Sequence, residues 1–208
     1  MPGLTAYFGL LEIGKPQAVE TVVISGAAEP IGIVMFVTKQ LKAVAVVGIA
    51  GSDEKLAYLK NTLKIDEVIN YNTSGNMFKA IEKACPNGVD IYFDNVGGEI
   101  SDAVISALNR FARVVICGQI SLYNVTEMPM GPRLQPLLLK RSVLMQGFIV
   151  SNYAAKFEEA MQQLEAWVKE GKLKYTETIV EGFEKLPQTF CELFQGKNTG
   201  KFLVKAAD

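Results

Sequence analysis

The residues that could do chemistry in this chain follow two apolar runs near its beginning. The string VVISGAAEPIG places Gly26 and Gly32 after the first run, where glycines permit a tight turn and let the backbone approach a phosphate. Glu29 stands at the place of the intermediate glycine, and Pro30 follows it. A carboxylate about 4 Å from a phosphate would cost on the order of 4 kcal/mol near a protein surface, unless it points to solvent. The turn therefore predicts either a dinucleotide site or an ordinary strand-to-helix connection.

The end of the second apolar run indicates which dinucleotide would bind. NAD sites carry an acidic side chain roughly 20 residues beyond the glycines, where it binds the ribose hydroxyls. The string IAGSDEK instead puts Gly51 and Ser52 at that place, followed by Lys55. Small residues leave room for a 2′-phosphate, and the lysine supplies a cation for it. The alternative is a capped helix start with Asp53 and Glu54 at the positive end of the helix dipole, and both interpretations can hold together.

These residues lie within an alternation of apolar runs and helix-length segments. Val- and Ile-rich runs at 21–24, 44–49, 68–69, 89–93, 114–117 and 143–150 predict buried parallel strands. Segments of helix length lie between them at 31–41, 53–62, 76–85 and 99–108, and Ser52 or Asp53 is expected to cap the second. This alternation predicts an α/β fold, a doubly wound six-stranded parallel sheet with Val22–Ile24 beside Val46–Ile49.

The chain changes character after residue 150. A long amphipathic helix is predicted over 153–170, followed by the strand-like string KYTETIV, a short helix ending near Phe194 and the strand-like string GKFLVKA. The last two strands have no obvious place in the parallel sheet. We therefore divide the chain into a dinucleotide-binding domain, residues 1–170, and a C-terminal segment, residues 171–208.

Composition argues against several function classes. The chain carries 21 Lys+Arg against 22 Asp+Glu with no block of like charge, so neither nucleic acid nor an anionic membrane is an expected partner. The apolar run at 44–50 is too short to cross a bilayer, and we expect a soluble cytoplasmic protein. Three widely spaced cysteines indicate reduced thiols. With no histidine and no CxxC motif, we expect no zinc or other metal site.

Several strings, in order, resemble the medium-chain dehydrogenase/reductase superfamily. They are MPGLTAYFGLLEIG, GIAGSDEK, INYNT, DIYFDNVGGEISD, VICGQISLYN, QGFIVS and EGFEKLPQTFCELFQGKNTGK. Within it the chain resembles the zinc-independent, NADPH-dependent branch of 2-alkenal reductases, prostaglandin/leukotriene-type reductases and quinone oxidoreductase-like enzymes. Members of that branch carry a GroES-like substrate domain ahead of the first string. The resemblance implies that this domain is missing here and that KYTETIV and GKFLVKA are strands that would pair with it.

The resemblance also implies an NADP(H) site on a Rossmann fold. The pyrophosphate would face Ala27, Ala28 and Gly32, and the 2′-phosphate would lie near Ser52, Lys55 and Tyr71. The nicotinamide half would contact the remaining positions: Asn95, Cys117, Gly118, Ile120, Tyr123, the backbone of Phe148, Ile149 and Val150, and a late loop with Asn198 and Gly200. The chain departs from the family where relatives have glycine, at Glu29, Phe36 and Ala43.

Tyr123 is the candidate catalytic residue. Hydride addition to an activated alkene leaves an enolate, which a neutral phenol can hydrogen-bond and protonate. The resemblance assigns that part to Tyr123, and the alternative is an exposed loop tyrosine. Cys117 is interpreted as a packed residue rather than a nucleophile because no histidine exists to activate it. Tyr71 has the alternative of a strand-end aromatic.

Two hypotheses about function remain open from the sequence. The first is an NADP(H)-dependent oxidoreductase that reduces a small enone, enal or quinone. The second is a nucleotide-binding or assembly module without turnover. In either case the sixth apolar run, extended to residues 142–150, predicts a sheet edge through which two chains form a homodimer.

Overall fold

A computed structural model describes residues 1–29, 45–127 and 129–207. The strands are β1 (Thr21–Ser25), β2 (Ala45–Ala50), β3 (Glu67–Asn70), β4 (Val89–Asp94), β5 (Leu108–Ile116), β6 (Leu144–Gly147), β7 (Glu177–Glu181) and β8 (Lys201–Lys205). The α-helices are α1 (Pro2–Phe8), α2 (Asp53–Ala57), α3 (Met77–Ala84), α4 (Gly98–Ser106), α5 (Gln135–Arg141), α6 (Phe157–Lys169) and α7 (Leu186–Phe194). The predicted helix at 31–41, with Gly32 and Phe36, and the position of Ala43 lie outside the described residues.

Six strands form one parallel sheet in the order β3-β2-β1-β4-β5-β6. Val22 pairs with Val46 and Val23 with Val47, which confirms the predicted neighbourhood of the first two strands. The order of a doubly wound α/β fold, the Rossmann fold, is thereby confirmed. Strand order reverses between β1 and β4, and in such sheets a crevice for ligands opens beyond the carboxyl ends of the strands at that point.

The central strands are buried on both faces because alternate side chains enter different cores. Val22 and Ile24 of β1 pack into one apolar cluster, whereas Val23 packs into the other. Every residue of β1 is buried. A strand covered on both sides must be apolar throughout, and this explains why the central strands appear in the sequence as continuous runs.

The helix starts follow local chemistry. Ser52 precedes α2, and its hydroxyl accepts the N–H of Lys55 at 3.3 Å, so the predicted cap is present. The helix continues beyond Ala57 as a π-helix over Tyr58–Thr62. Asn76 caps α3 in the same way, accepting the N–H of Lys79 at 3.1 Å.

Two strand boundaries differ from the prediction. β5 begins at Leu108 rather than at residue 114, and its pairing with β4 is irregular between Val89 and Ile91. β6 ends at Gly147 rather than at residue 150, because the Asn152 side chain accepts the N–H of Ile149 at 2.9 Å and a 3₁₀-helix follows. None of the β6 residues is fully buried, so the prediction of a buried sixth strand was wrong. As the last strand of the sheet, it has β5 as its only neighbour there.

The C-terminal strands lie outside the main sheet. β7 and β8 pair in parallel with each other, and α7 lies between them in the chain. Among the described residues, the hydrogen bonds between the C-terminal segment and the sheet domain include that from the Gly200 N–H to the carbonyl of Ala28 at 2.9 Å and that between the Tyr58 and Thr176 hydroxyls at 2.8 Å. No helix within the described ranges is long and apolar enough to span a membrane.

Candidate functional site

Two cavities lie at the carboxyl edge of the sheet. The first, here called the polar pocket, lies beyond β1, β2 and β3 and is lined by Gly26, Glu29, Ser52, Lys55 and Tyr71, among others. The second, here called the tyrosine cleft, lies beyond β5 and β6 and includes Cys117, Gly118, Tyr123, Phe148 and Ile149. Asn95, at the end of β4, lies between them. Together the two cavities line the crevice expected at the switch point of the sheet.

The glycine turn shapes one wall of the polar pocket. Gly26 has a φ of +63°, a conformation that glycine adopts without strain. Ala28 lines the pocket, whereas Ala27 is fully buried and donates its N–H to the carbonyl of Ile49 at 3.0 Å. The N–H of Ala27 is thus occupied, and of the two alanines only Ala28 faces the ligand crevice.

The Glu29 side chain lines the polar pocket rather than extending into solvent. Its carboxyl carbon lies 3.8 Å from where a β-carbon on Gly26 would stand, so the side chain folds back along the turn and lines the polar pocket. Burial raises the pKa of Glu29, and the positive charge of Lys55 opposes that rise. The pocket therefore contains a carboxylate at the position where family members have glycine.

Lys55 is the cation of the polar pocket and is only 8% exposed. Burial lowers the pKa of Lys55, while the charges of Glu29 and Glu54 act in the opposite direction. Its Nζ lies 3.5 Å from where a β-carbon on Gly196 would stand, and Gly196 has a φ of +64°. The C-terminal segment therefore reaches the lysine through a residue whose positive φ favours glycine.

Tyr71 contributes a phenol to the same pocket. Its ring lies against Gly51, where a β-carbon would come within 2.6 Å of the phenol carbon Cζ, so a side chain at position 51 would displace the ring. Burial and then the charge of Glu29 raise the pKa of Tyr71, which keeps the hydroxyl protonated and able to donate. The structure thus brings Ser52, Lys55 and Tyr71 together as the sequence predicted.

A buried aspartate that the sequence reasoning missed organises the middle of the crevice. Asp94, at the end of β4, is 2% exposed. One carboxylate oxygen accepts from the Tyr92 hydroxyl at 2.8 Å and from the N–H groups of Val96 and Gly97 at 3.0 and 2.9 Å. The carboxylate also accepts from the hydroxyls of Ser25 and Ser101 and from the Gln119 side-chain amide. A carboxylate directly before the string NVGG could have drawn attention to this position.

Two hydrogen bonds to Ser25 hold Asn95 beside Asp94. Its N–H donates to the Ser25 hydroxyl at 3.0 Å, and its amide nitrogen donates to the Ser25 carbonyl at 2.7 Å. Within residues 1–29, 45–127 and 129–207, its buried Oδ1 has no hydrogen-bond partner. An unpaired buried acceptor is costly, and a ligand donor in the crevice would relieve that cost.

Tyr123 lies in the tyrosine cleft and is 63% exposed. The N–H of Gln119 donates to its hydroxyl at 3.3 Å, which leaves the phenol hydrogen free to donate elsewhere. Gly118 lies beside the same hydroxyl, since a β-carbon there would stand 3.4 Å from it. Burial and then Asp94 raise the pKa of the Cys117 thiol to about 12, so this cysteine is not an activated nucleophile.

The remaining residues that the sequence predicted for the site lie in different places, and not all of them line the crevice. Ile120 lines the polar pocket, and Phe148 and Ile149 line the tyrosine cleft. Val150 instead packs against the cluster formed by α1 and α6. Asn198 is fully buried and donates to the carbonyl of Gly200 at 2.8 Å, and Oδ1 of Asn198 has no partner among the described residues.

The fold and this crevice define a dinucleotide-binding protein of the α/β class. Residues 30–166 match the zinc-binding dehydrogenase family, and the chain belongs to that family. This confirms the resemblance to medium-chain dehydrogenase/reductases. The chain contains no histidine, and the described part of it contains no cluster of three metal-ligating side chains.

Several proteins similar to this chain carry names of oxidoreductases or reductases. The chain is 56% identical to a Bacillus subtilis (strain 168) protein named "Putative NADP-dependent oxidoreductase YfmJ", over 100% of this chain and 62% of that protein. It is 42% identical to NADPH-dependent curcumin reductase of Escherichia coli (strain K12), over 100% of this chain and 61% of that protein. With mouse (Mus musculus) prostaglandin reductase 1 it shares 47% identity, over 99% and 63% of the two chains.

A solved structure agrees closely with this fold. CurA from Vibrio vulnificus in complex with NADPH superposes with a TM-score of 0.95 at 41% identity, covering 100% of this chain and 63% of that one. The chain thus spans about three fifths of the length of the relatives that it matches.

Proposed function

We propose that this chain is the cofactor-binding portion of an NADP(H)-dependent oxidoreductase. Its substrate would be a small molecule with an activated C=C bond, an enone or enal, or a quinone. The observation that carries the cofactor part is the group formed by Lys55, Ser52 and Tyr71, at the place where NAD sites have a carboxylate for the ribose. Relatives whose names include NADPH or NADP support the same choice.

The residues of the crevice fit such a cofactor in all but one respect. Lys55 and the hydroxyls of Ser52 and Tyr71 would hold the 2′-phosphate through charge and hydrogen bonds. The free Oδ1 of Asn95 would accept a hydrogen bond from the cofactor near the middle of the crevice. Glu29 is the exception, because its carboxylate shares the pocket with those phosphate ligands.

The nicotinamide half, when bound, supplies the hydride, and the tyrosine cleft supplies the protein groups around the substrate. Tyr123 would hydrogen-bond the oxygen on which negative charge develops and would donate its proton there. Its hydroxyl already accepts the Gln119 N–H, so the phenol hydrogen is available for that bond. Phe148 and Ile149 would form apolar walls against the substrate.

A second candidate, a nucleotide-binding module without turnover, is favoured by one observation. Tyr123 is 63% exposed in an open cleft. A polypeptide that binds cofactor but leaves its substrate unenclosed would bind without reducing. Consumption of NADPH in the presence of curcumin, an enal or a quinone separates this candidate from the first.

The cofactor preference is tested by Lys55→Ala. Loss of a charged phosphate ligand is expected to weaken NADPH binding by about 1.5–3 kcal/mol, roughly 10- to 100-fold, and to change NADH binding little. Fluorescence titration with both cofactors measures the two effects. Lys60→Ala is the matched control, because Lys60 donates to the carbonyl of Asp66 and lies away from the pocket. Equal losses for NADPH and NADH in Lys55→Ala would contradict a 2′-phosphate site.

A further inference from the structure

Glu29 and Lys55 form an unusual pair within the polar pocket. They come from different elements, the glycine turn after β1 and the first turn of α2, and both side chains line the same cavity. No ion pair within 4.0 Å joins these two described side chains, although each perturbs the titration of the other. Because both side chains line one cavity, the carboxylate can act as the counter-charge of the lysine without a direct contact that would occupy its ammonium group.

The titratable side chains near Glu29 line two cavities. On the pocket side, the only other titratable side chain that lines the described cavity is Tyr71, and Glu54 acts on Lys55 from the same helix while lying exposed. Glu29 also borders a neighbouring cavity whose titratable lining residues are Tyr58, Lys174, Tyr175, Glu177 and Lys201. Burial and Lys55 are the influences that move the pKa of Glu29.

A cofactor phosphate in this pocket would be attracted by the Lys55 ammonium group and repelled by the Glu29 carboxylate. Like charges a few ångströms apart in a partly desolvated site cannot both remain ionised without a large penalty. The carboxylate can escape this penalty by taking a proton from solution, and the phosphate then takes over Lys55. The backbone of Glu29 is held at the turn, because its N–H donates to the carbonyl of Gly26 at 3.1 Å, and its carboxyl carbon lies 3.8 Å from where a β-carbon on Gly26 would stand.

We infer that Glu29 is a built-in counter-ion of Lys55 that couples binding of the cofactor phosphates to uptake of one proton. The carboxylate and a solvent proton become a neutral carboxylic acid as the dinucleotide enters, and no other bond forms or breaks. The affinity for the cofactor therefore rises as pH falls. Protonation of the 2′-phosphate itself would have the opposite effect and lower the affinity. This inference rests on the proposed function, since it requires that the pocket takes a dinucleotide.

Calorimetric titration tests the coupling directly. The whole chain is titrated with NADPH and with NADH near pH 8, in buffers of different ionisation enthalpy, and the number of protons taken up is read from the dependence of the heat on the buffer. NADH has no 2′-phosphate, so any proton that it draws in comes to the protein. Wild-type protein is expected to take up protons with both cofactors, and affinity is expected to rise by up to about tenfold per pH unit between about pH 8.5 and about pH 6.5.

Glu29→Gln identifies the group responsible. This variant keeps the size of the side chain, and it is expected to bind about tenfold or more tightly near pH 8, with proton uptake reduced to near zero. Glu54→Gln is the matched control: it removes a second carboxylate that acts on Lys55 but does not line the pocket, and it should behave like wild type. Measuring proton uptake on the wild-type chain makes the test independent of how well any variant folds.

The outcomes separate the two proposals. Cofactor binding without proton uptake in the wild type, or uptake that persists in Glu29→Gln, overturns the role of Glu29 and leaves the proposed function standing. Absence of binding of NADPH and NADH to wild type and to Glu29→Gln at every pH overturns both.

Discussion

At the scale of single residues, the buried carboxylate of Asp94 accepts hydrogen bonds from several segments that border the crevice. It accepts from N–H and O–H donors in β1, in β4 itself, in the loop after β4, in α4 and in the loop after β5. A buried carboxylate is tolerated only when such donors surround it. Ser25 ends β1, and the two loops carry Asn95 and Gly118, so Asp94 connects residues on both sides of the switch point.

Asp94→Asn tests this positioning. The amide has the same shape but presents a donor to groups that are themselves donors, so the variant is expected to lose about 2–4 kcal/mol of unfolding free energy. Urea denaturation measures the loss. Glu99→Gln, which neutralises an exposed carboxylate at the start of α4, is the control and should change stability by less than about 0.5 kcal/mol. If Asp94→Asn also changes the free energy of unfolding by less than about 0.5 kcal/mol, Asp94 does not hold the loops.

At the scale of elements, one ion pair joins β5 to the beginning of β1. Arg113 donates to both carboxylate oxygens of Glu20 at 2.7 Å and also to the carbonyls of Gly14 and Lys15. Both side chains are less than one fifth exposed, at 17% and 18%. The arginine therefore fixes the turn that leads from the N-terminal helices into the first strand.

Glu20→Gln is expected to lower the unfolding free energy near pH 7 by about 1–3 kcal/mol, because a partly buried arginine loses its charged partner. Burial alone would raise the pKa of Glu20, but hydrogen bonds from Arg113 and from the N–H of Gln17 outweigh it and hold the pKa below its ordinary 4.5. A lowered folded-state pKa means that the stabilisation is complete above the ordinary value and is lost as pH falls through the folded-state value.

Chemical denaturation of wild type and Glu20→Gln between about pH 7 and about pH 3 measures this dependence. The two stabilities should converge at the acidic end of that range. A difference that stays constant across it would show that the pair is not the source of the effect. Glu67→Gln is a suitable control, because its ion pair with Lys60 is exposed at 57% on the glutamate side.

At the scale of the whole molecule, β6 is one of the two edges of the sheet within the described chain, β3 being the other, and Leu144 on β6 is 49% exposed. Pairing with a second copy remains our prediction, now through Leu144–Gly147 rather than through the longer segment expected from the sequence. The exposed apolar side chains of Ile179 and Leu203, on β7 and β8, form a second surface that would gain from a partner.

Leu144→Lys tests the edge-to-edge dimer. A charge on an edge strand opposes pairing between sheets, so the variant is expected to be monomeric where the wild type scatters light as twice the chain mass at micromolar concentration. Met161→Lys, at an exposed apolar position on α6, should leave the mass unchanged. A wild-type chain that stays monomeric on concentration would rule out the predicted dimer.

The features that the sequence alone determined are those set by neighbours along the chain. The apolar runs that form the central strands, the Ser52 cap and the placement of Lys55 after β2 depend on periodicity and on residues a few positions apart, and the structure places them as predicted. The boundaries of β5 and β6 were misjudged because they depend on pairing with a neighbouring strand and on a side chain beyond the strand end.

Tertiary structure alone decided which groups share the crevice. The shared cavity of Glu29 and Lys55, the position of Gly196 beside that lysine and the convergence of donors on Asp94 join residues far apart in the chain, whose meeting no local pattern records. The energy of such contacts depends on burial and on distance in space. In the coupling that we propose, Glu29 is therefore more than an exposed turn carboxylate, because it shares a cavity with the buried Lys55.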